Sequence, residues 1–200
     1  MLFLKKIDII EQLKFIINSI LPISNDDWQL LPPHLNFLQL SEDEFLQHAG
    51  DTNTYVAFIK KGTLRAYFID DNLVETNLLL CSQNEFISDY ESYITQSPAK
   101  YNIQAIEKSE LILLPKKALD TLYQNSFYWN KFGRIVAESI YLSSKKRAEE
   151  LLFNSPEKRY LNLMRQHPEY FQKYALKHLA AYLGIAPQSL SRIRARLTHH

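Results

Sequence analysis

Cysteine is almost absent from this chain of 200 residues: Cys81 is the only one. A lone cysteine excludes an internal disulfide framework and any cysteine-rich zinc or iron–sulfur centre. It fits a reducing compartment, and beside a strand-like apolar run Cys81 itself is expected to be a buried side chain. Long apolar runs are missing as well. The stretch MLFLKKIDIIEQLKFIINSI is interrupted by Lys5, Lys6, Asp8, Glu11 and Lys14, so it has neither the apolar centre of a signal peptide nor the ~20 apolar residues of a membrane span. A cytoplasmic protein with no membrane partner is the expectation. There is no nucleophile elbow, phosphate loop or paired-carboxylate motif in a suitable context, which argues against an enzyme. His34, His48, His167 and His178 show no close ligand spacing and read as surface or packing residues, so no metal site is expected. Internal repeats and low-complexity tracts are absent too. With 46% hydrophobic and 22% charged residues, the composition is that of a globular protein.

The most informative absence is local. Residues 176–197, LKHLAAYLGIAPQSLSRIRARL, contain no carboxylate. From Leu151 onward eight Lys and Arg stand against two acids, a local charge of +6 in a chain whose formal net charge is +1. The first three quarters therefore carry the excess of acid. A basic end on an acidic body predicts two parts with different partners, and a polyanion is the natural partner of the basic one.

The chain changes hydrophobic period twice. Phe3, Ile7, Ile10, Leu13, Ile17 and Leu21 are spaced by three or four, which predicts an amphipathic helix packed against the body, and Pro32-Pro33 ends it. TYVAFIKKGTLRAYFIDDNLVETNLLL then holds two β-rich runs around Lys61-Gly62 and a third after Asp70-Asp71-Asn72, followed by YNIQAI (101–106) and ELILLP (110–115). Closely spaced strands in an antiparallel meander predict a small barrel or sandwich. From Ser126 the period is helical. Trp129, Phe132, Val136, Ile140 and Ser143 form a heptad-like seam on a helix of about 25 residues, or about 37 Å. That seam needs a cover, and both its own β domain and the same helix of a second copy are expected to supply it at different points. Ser155-Pro156-Glu157 starts a further helix with a hydroxyl cap, a proline in the first turn and an acid near the N-terminus.

The acid-free stretch reads as two helices crossing over a tight turn. Ala180 is the small residue at the crossing, Gly184 takes the left-handed turn, and Pro187 opens the second helix. Leu190 and Ile193, with Leu183 and Ile185 beside the turn, form its buried face. Gln188, Ser189, Arg192 and Arg196 remain on the opposite face. Arg is bidentate to guanine and Gln to adenine in the major groove, and Ser adapts to either; Lys177, Arg194 and Arg196 are suited to phosphates. The pattern predicts a helix-turn-helix that binds double-stranded DNA, with Gln188, Ser189 and Arg192 reading bases.

A small β domain, a long seam helix and a C-terminal helix-turn-helix, in that order, resemble the Crp/Fnr family of bacterial transcription regulators over nearly the full length. YVAFIKKGTLRAYF resembles the family's strand–Lys-Gly–strand hairpin, NEFISDYESY occupies the place of its ligand-binding cassette, and SLSRIRARL is similar to its recognition helix. The resemblance implies an α+β fold: an antiparallel, jelly-roll-like β-roll of the cyclic-nucleotide-binding kind with flanking helices (1–125), a long dimerisation helix (126–154) and a winged helix-turn-helix (155–200). It implies a homodimer on palindromic DNA that contacts RNA polymerase, with Trp129, Phe132, Val136 and Ile140 at the dimer seam. The cassette departs from the family pattern. Ser88 and Glu91 stand where glycines would be, Asp89 replaces the ribose-binding glutamate, and the arginine position falls at Ala99 with Lys100 beside it. Glu85, Asp89 and Glu91 disfavour an anion there, so cyclic AMP is not expected as cofactor. An effector of unknown identity would meet Phe86, Ser88, Asp89, Lys100 and Tyr101. The alternative is a sensor or protein-interaction module whose DNA-binding part is vestigial. His199 and His200 are given no role.

Overall fold

The computed structural model describes residues 2–198, and the side chains of residues 10–197; His199, His200 and the side chains of Phe3 and Ile7 lie outside these. Two compact units emerge. One comprises the residues up to Arg65 together with Cys81–Glu138, and the other Ala66–Leu80 together with the residues from Ser139 onward.

The first unit begins with α1 (Leu2–Ile20), α2 (Asn25–Gln29) and a short 3-10 turn at Pro32–His34. Strands follow as β1 (Asn36–Leu40), β2 (Phe45–Gln47), β3 (Tyr55–Lys61), β4 (Thr63–Ile69), β5 (Glu75–Ser82), β6 (Phe86–Ile87), β7 (Asn102–Ala105) and β8 (Ser109–Pro115), with α3 (Tyr90–Thr95) between β6 and β7. α4 (Lys116–Asn125) and α5 (Phe127–Phe153) complete this part of the chain. The strands do not form the expected meander. They divide into two four-stranded sheets, in the orders β1-β8-β3-β6 and β2-β7-β4-β5, the wound arrangement of a β-roll.

The division is made at one residue. β3 and β4 are separated only by Gly62, yet they belong to different sheets. Lys61-Gly62 is therefore a corner, not the turn of a paired hairpin. The register of β3 against β8 shifts between Ile59 and Lys61, and Gly62 follows with φ +102°. A bulge followed by glycine is how a strand bends sharply from one sheet to the next. The corner also brings Gly62 so close to Ser109 that a Cβ would stand 2.7 Å from the Ser109 Cα. By contrast, the turn after β4 is an ordinary Asx turn: Asp70 Oδ1 accepts from the Asn72 and Val74 amides, each at 2.9 Å.

The core of the first unit lies between helices and one sheet. Leu13 and Ile17 of α1, Trp28 of α2, Phe58 of β3, Ile112 and Leu114 of β8, Leu119 and Leu122 of α4, and Trp129 and Phe132 of α5 pack together. From Ile10 onward the apolar face of α1 is thus covered within the chain, as its spacing implies. Ser126 joins α4 to α5: its Oγ accepts from the Trp129 amide at 3.3 Å and donates to Asp27 Oδ1 at 2.8 Å. The Trp129 indole donates to the Asp27 carbonyl at 3.0 Å, so its polar edge is satisfied while its ring is wholly buried.

This changes the reading of the seam. Trp129 and Phe132 are buried against α1, α2 and α4 and so have their cover within the chain, whereas Val136, which packs against the same cluster, and Ile140 are only half-buried. Further along α5 the exposed apolar side chains are Tyr141, Leu142, Leu151, Leu152 and Phe153. Leu142, Lys145, Glu149 and Leu152 lie at steps of three, four and three, one helix face, on which Lys145 and Glu149 pair at 3.3 Å.

Gly62→Ala should lower the unfolding free energy by about 2–4 kcal/mol, because it combines a disfavoured φ with a collision against backbone. Urea unfolding followed by tryptophan fluorescence reads the change directly; a loss under ~0.5 kcal/mol would mean the corner is not under this constraint.

Candidate nucleic-acid interface

The second unit holds the rest of α5, then α6 (Pro156–Gln166), α7 (Tyr170–Lys173), α8 (Leu176–Leu183) and α9 (Pro187–Thr198). α6 starts as its sequence predicts, with Ser155 Oγ accepting from the Lys158 amide at 3.3 Å and Pro156 in the first turn. Among the described residues α9 is the last element, and no strand of a wing follows it.

α8 ends at Gly184 with φ 66° and ψ 39°. The Ile185 amide bonds back to the Ala180 carbonyl at 3.1 Å and the Gly184 amide to Ala181 at 3.4 Å, the paired bonds of a Schellman turn. Ala180 is fully buried, as are Leu183, Leu190 and Ile193. The small side chain, the left-handed turn and the apolar pair thus act together: α9 crosses α8 closely and buries Leu190 and Ile193, which leaves its other face to solvent.

On that face Gln188, Arg192, Arg194 and Arg196 are exposed and Ser189 is half-buried. The three base-reading candidates stand together on the first turns of α9. Lys177 is exposed on α8. Arg196 is not idle, for its guanidinium meets Glu157 at 3.2 Å. A shallow groove of about 420 Å³, lined by Pro156, Glu157, Ser189, Arg192 and Arg196, lies between the start of α6 and α9. The arrangement presents a helix with bidentate donors and with cations in reach of a backbone, the chemistry of major-groove reading.

Two arginines outside the predicted set hold the turn. Arg159 of α6 is buried; its Nε donates to the Leu183 carbonyl at 3.0 Å and its Nη1 to the Asn154 carbonyl at 2.8 Å. Arg147 of α5 donates through Nη2 to the Tyr182 carbonyl and lies 4.0 Å over the Tyr182 ring. Cations at the last carbonyls of a helix satisfy orphan acceptors and complement its dipole. In the sequence both arginines look like ordinary surface residues of polar helices, and only burial distinguishes them. The outer part of the β4–β5 hairpin belongs to this unit: Asn77 Nδ2 donates to the His178 carbonyl at 2.9 Å, and the Tyr170 hydroxyl donates to the Leu80 carbonyl at 2.8 Å.

The predicted effector residues are only partly gathered. Phe86 faces the core, 5.2 Å from the Phe58 ring. Asp89 caps α3, accepting from the Ser92 amide at 3.0 Å, and Asn53 Nδ2 donates to Ser88 Oγ at 2.7 Å and to the Asp89 carbonyl at 3.1 Å. The Tyr101 hydroxyl donates to the Ser88 carbonyl at 3.3 Å, and burial, then Asp89, pushes its pKa well up. Lys100 is turned outward in an ion pair with Glu91 at 2.5 Å. Ala99 is buried, its amide bonded to the Asp51 carbonyl at 2.7 Å. Ser88, Asp89 and Tyr101 therefore share one bonded cluster, whereas Phe86 and Lys100 lie apart from it. Cys81 is buried, and burial, with Glu85 adding to it, pushes its thiol up, which leaves little reactive thiolate.

Residues 37–126 match the cyclic nucleotide-binding domain family. No curated protein matches the chain by sequence. Among solved structures, FixK2 from Bradyrhizobium japonicum is similar with a TM-score of 0.70 at 12% identity, over 82% of this chain and 85% of that one. A transcriptional regulator assigned to the Crp/Fnr family from Eubacterium rectale gives 0.68 at 14% identity, over 88% and 84%. CLP of Xanthomonas campestris, described as a c-di-GMP-responsive global regulator, gives 0.66 at 17% identity, over 88% and 92%. Among the described residues no helix is long and apolar enough to cross a membrane.

Replacing Arg159 by Met should release the Leu183 and Asn154 carbonyls and destabilise α8 and α9 by about 2–4 kcal/mol, since buried bonds from a charged donor are among the stronger ones. Hydrogen exchange of the α8 and α9 amides measures this. Protection unchanged from wild type would refute the role given to Arg159.

Proposed function

From a chain whose residues 37–126 match the cyclic nucleotide-binding domain family and whose fold is similar to that of the Crp/Fnr regulators, we propose a homodimeric transcription regulator that binds specific DNA sequences and acts without cyclic AMP. The observation that carries this reading is the α8–Gly184–α9 turn, with Ala180, Leu190 and Ile193 buried beneath it and Gln188, Ser189 and Arg192 together on a helix that itself carries no acid. A generic helical hairpin needs the buried residues but not the composition of the other face.

Two further features support the reading. The exposed Leu142 and Leu152 on one face of α5, with the Lys145–Glu149 pair between them, favour a second α5 as their cover. Two copies related by a two-fold axis would set their α9 helices one helical turn of DNA apart, about 34 Å. At the cassette, the start of α3 is occupied by the chain's own Asp89 carboxylate, and Lys100 is committed to Glu91. A phosphodiester would have to displace one and recruit the other, and the buried Ala99 offers it no charge. A contact with RNA polymerase goes with this reading.

Selection of bound duplexes from a random pool, without added ligand, tests it. The wild type should enrich a two-fold symmetric motif with half-sites about 10 base pairs apart. Arg192→Ala should lose discrimination at one position of each half-site, a cost of about 1–3 kcal/mol per contact. Failure of the wild type to enrich any motif, with or without cell metabolites added, would favour the sensor or interaction module.

A further inference from the structure

A second feature of the helical unit is unused by DNA reading. Between the second half of α5, α6 and the end of α8 lies a cavity of about 170 Å³, comparable to one known to admit benzene, of about 150 Å³. Its lining is charged, with Lys146, Arg147 and Arg159 set against a single carboxylate, Glu150. An apolar cavity of this size stays empty, but a charged one requires polar contents.

The donors around it are incompletely used. Arg147 spends one nitrogen on the Tyr182 carbonyl, while its Nε–H is buried with no acceptor among the described residues. The charge of Arg147 is thus only partly answered by hydrogen bonds within the chain. Burial also pushes the Arg147 pKa down, so the present surroundings under-compensate its charge. Among the described residues Lys146 Nζ reaches the neutral Gln166 Oε1, at 3.0 Å, a partner it can exchange for an anion. Arg159 is fixed by its two carbonyl bonds and adds a charge that does not move.

We propose that this cavity is a site for a small oxyanion: inorganic phosphate or the phosphate head of a small metabolite. The anion accepts from Lys146 Nζ in the field of the Arg147 and Arg159 guanidiniums. Glu150 opposes it, and this limits the affinity. A bound anion links α5, α6 and the end of α8, the three elements that support α9. Any effect on DNA rests on the function proposed above, but the binding itself does not.

Calorimetric titration of the full chain with inorganic phosphate, and in parallel with glycerol 3-phosphate, at constant ionic strength in chloride, tests the site without DNA. One saturable event per chain is expected. Lys146→Ala should weaken it about fivefold or more through loss of a charged donor. Glu150→Gln, which removes only a like charge, should tighten it severalfold. Arg165→Ala, an exposed cation of α6 outside the cavity, should leave it unchanged. Tighter binding of inorganic phosphate identifies the free ion as the ligand, and tighter binding of glycerol 3-phosphate identifies a phosphorylated metabolite. The proposal is overturned if neither titrant saturates, if Glu150→Gln fails to tighten binding, or if Arg165→Ala weakens it as much as Lys146→Ala.

Discussion

The carbonyls that end α8 are the constraint on which the helical unit depends. Helices leave their last carbonyls without intrahelical donors, and here the last four of α8 all find donors elsewhere. The chain meets them from both directions. Gly184 turns back so that its own amide and that of Ile185 reach Ala181 and Ala180, while Arg159 and Arg147 supply the carbonyls of Leu183 and Tyr182. The same turn sets the direction of α9, so the hydrogen bonds that satisfy α8 also aim the exposed polar face of α9. Loss of either the glycine or Arg159 would disturb both at once.

A comparable economy governs the β-roll. Gly62 stands between two strands of different sheets and approaches Ser109 too closely for any side chain. One residue thereby sends the chain from the first sheet to the second. β4 then runs out of the first compact unit into the hairpin of the second, and β5 returns. The linear division at 125 and 154 does not describe this sharing of strands, because Asn77 and Tyr170 tie the hairpin to α7 and α8 by bonds that span 101 and 90 residues of sequence.

What could be read from sequence follows the range of the interactions involved. The helix-turn-helix is local: Ala180, Gly184, Pro187, Leu190 and Ile193 lie within four turns of chain, and each has a specific steric reason. The strands flanking Lys61-Gly62 were equally legible from their composition. Their allotment to sheets was not, since it depends on Ser109, far along the chain. β1, β2 and β6 escaped notice because they are short and lack clear alternation. The cover of Trp129 and Phe132 is hidden from the sequence for a related reason. Trp129 and Phe132 repeat like a coiled-coil face, but their cover comes from α1 and α2, about a hundred residues earlier, and the Trp129–Asp27 bond has no signature in the period. Arg147 and Arg159 went unrecognised because a buried arginine and a surface one look alike on a polar helix.

On the proposed function, the cationic face of α8 and α9, doubled in a dimer, grips DNA. The most direct measurement is the affinity for a selected duplex as a function of salt, for wild type and Lys177→Ala. Phosphate contacts make the logarithm of affinity fall linearly with the logarithm of salt concentration, and each lost contact reduces the slope by about one. A steep wild-type slope, with Lys177→Ala shallower by about two for the pair of protomers, is the predicted result. A wild-type affinity indifferent to salt, or a slope that Lys177→Ala leaves untouched, would rule out such a grip.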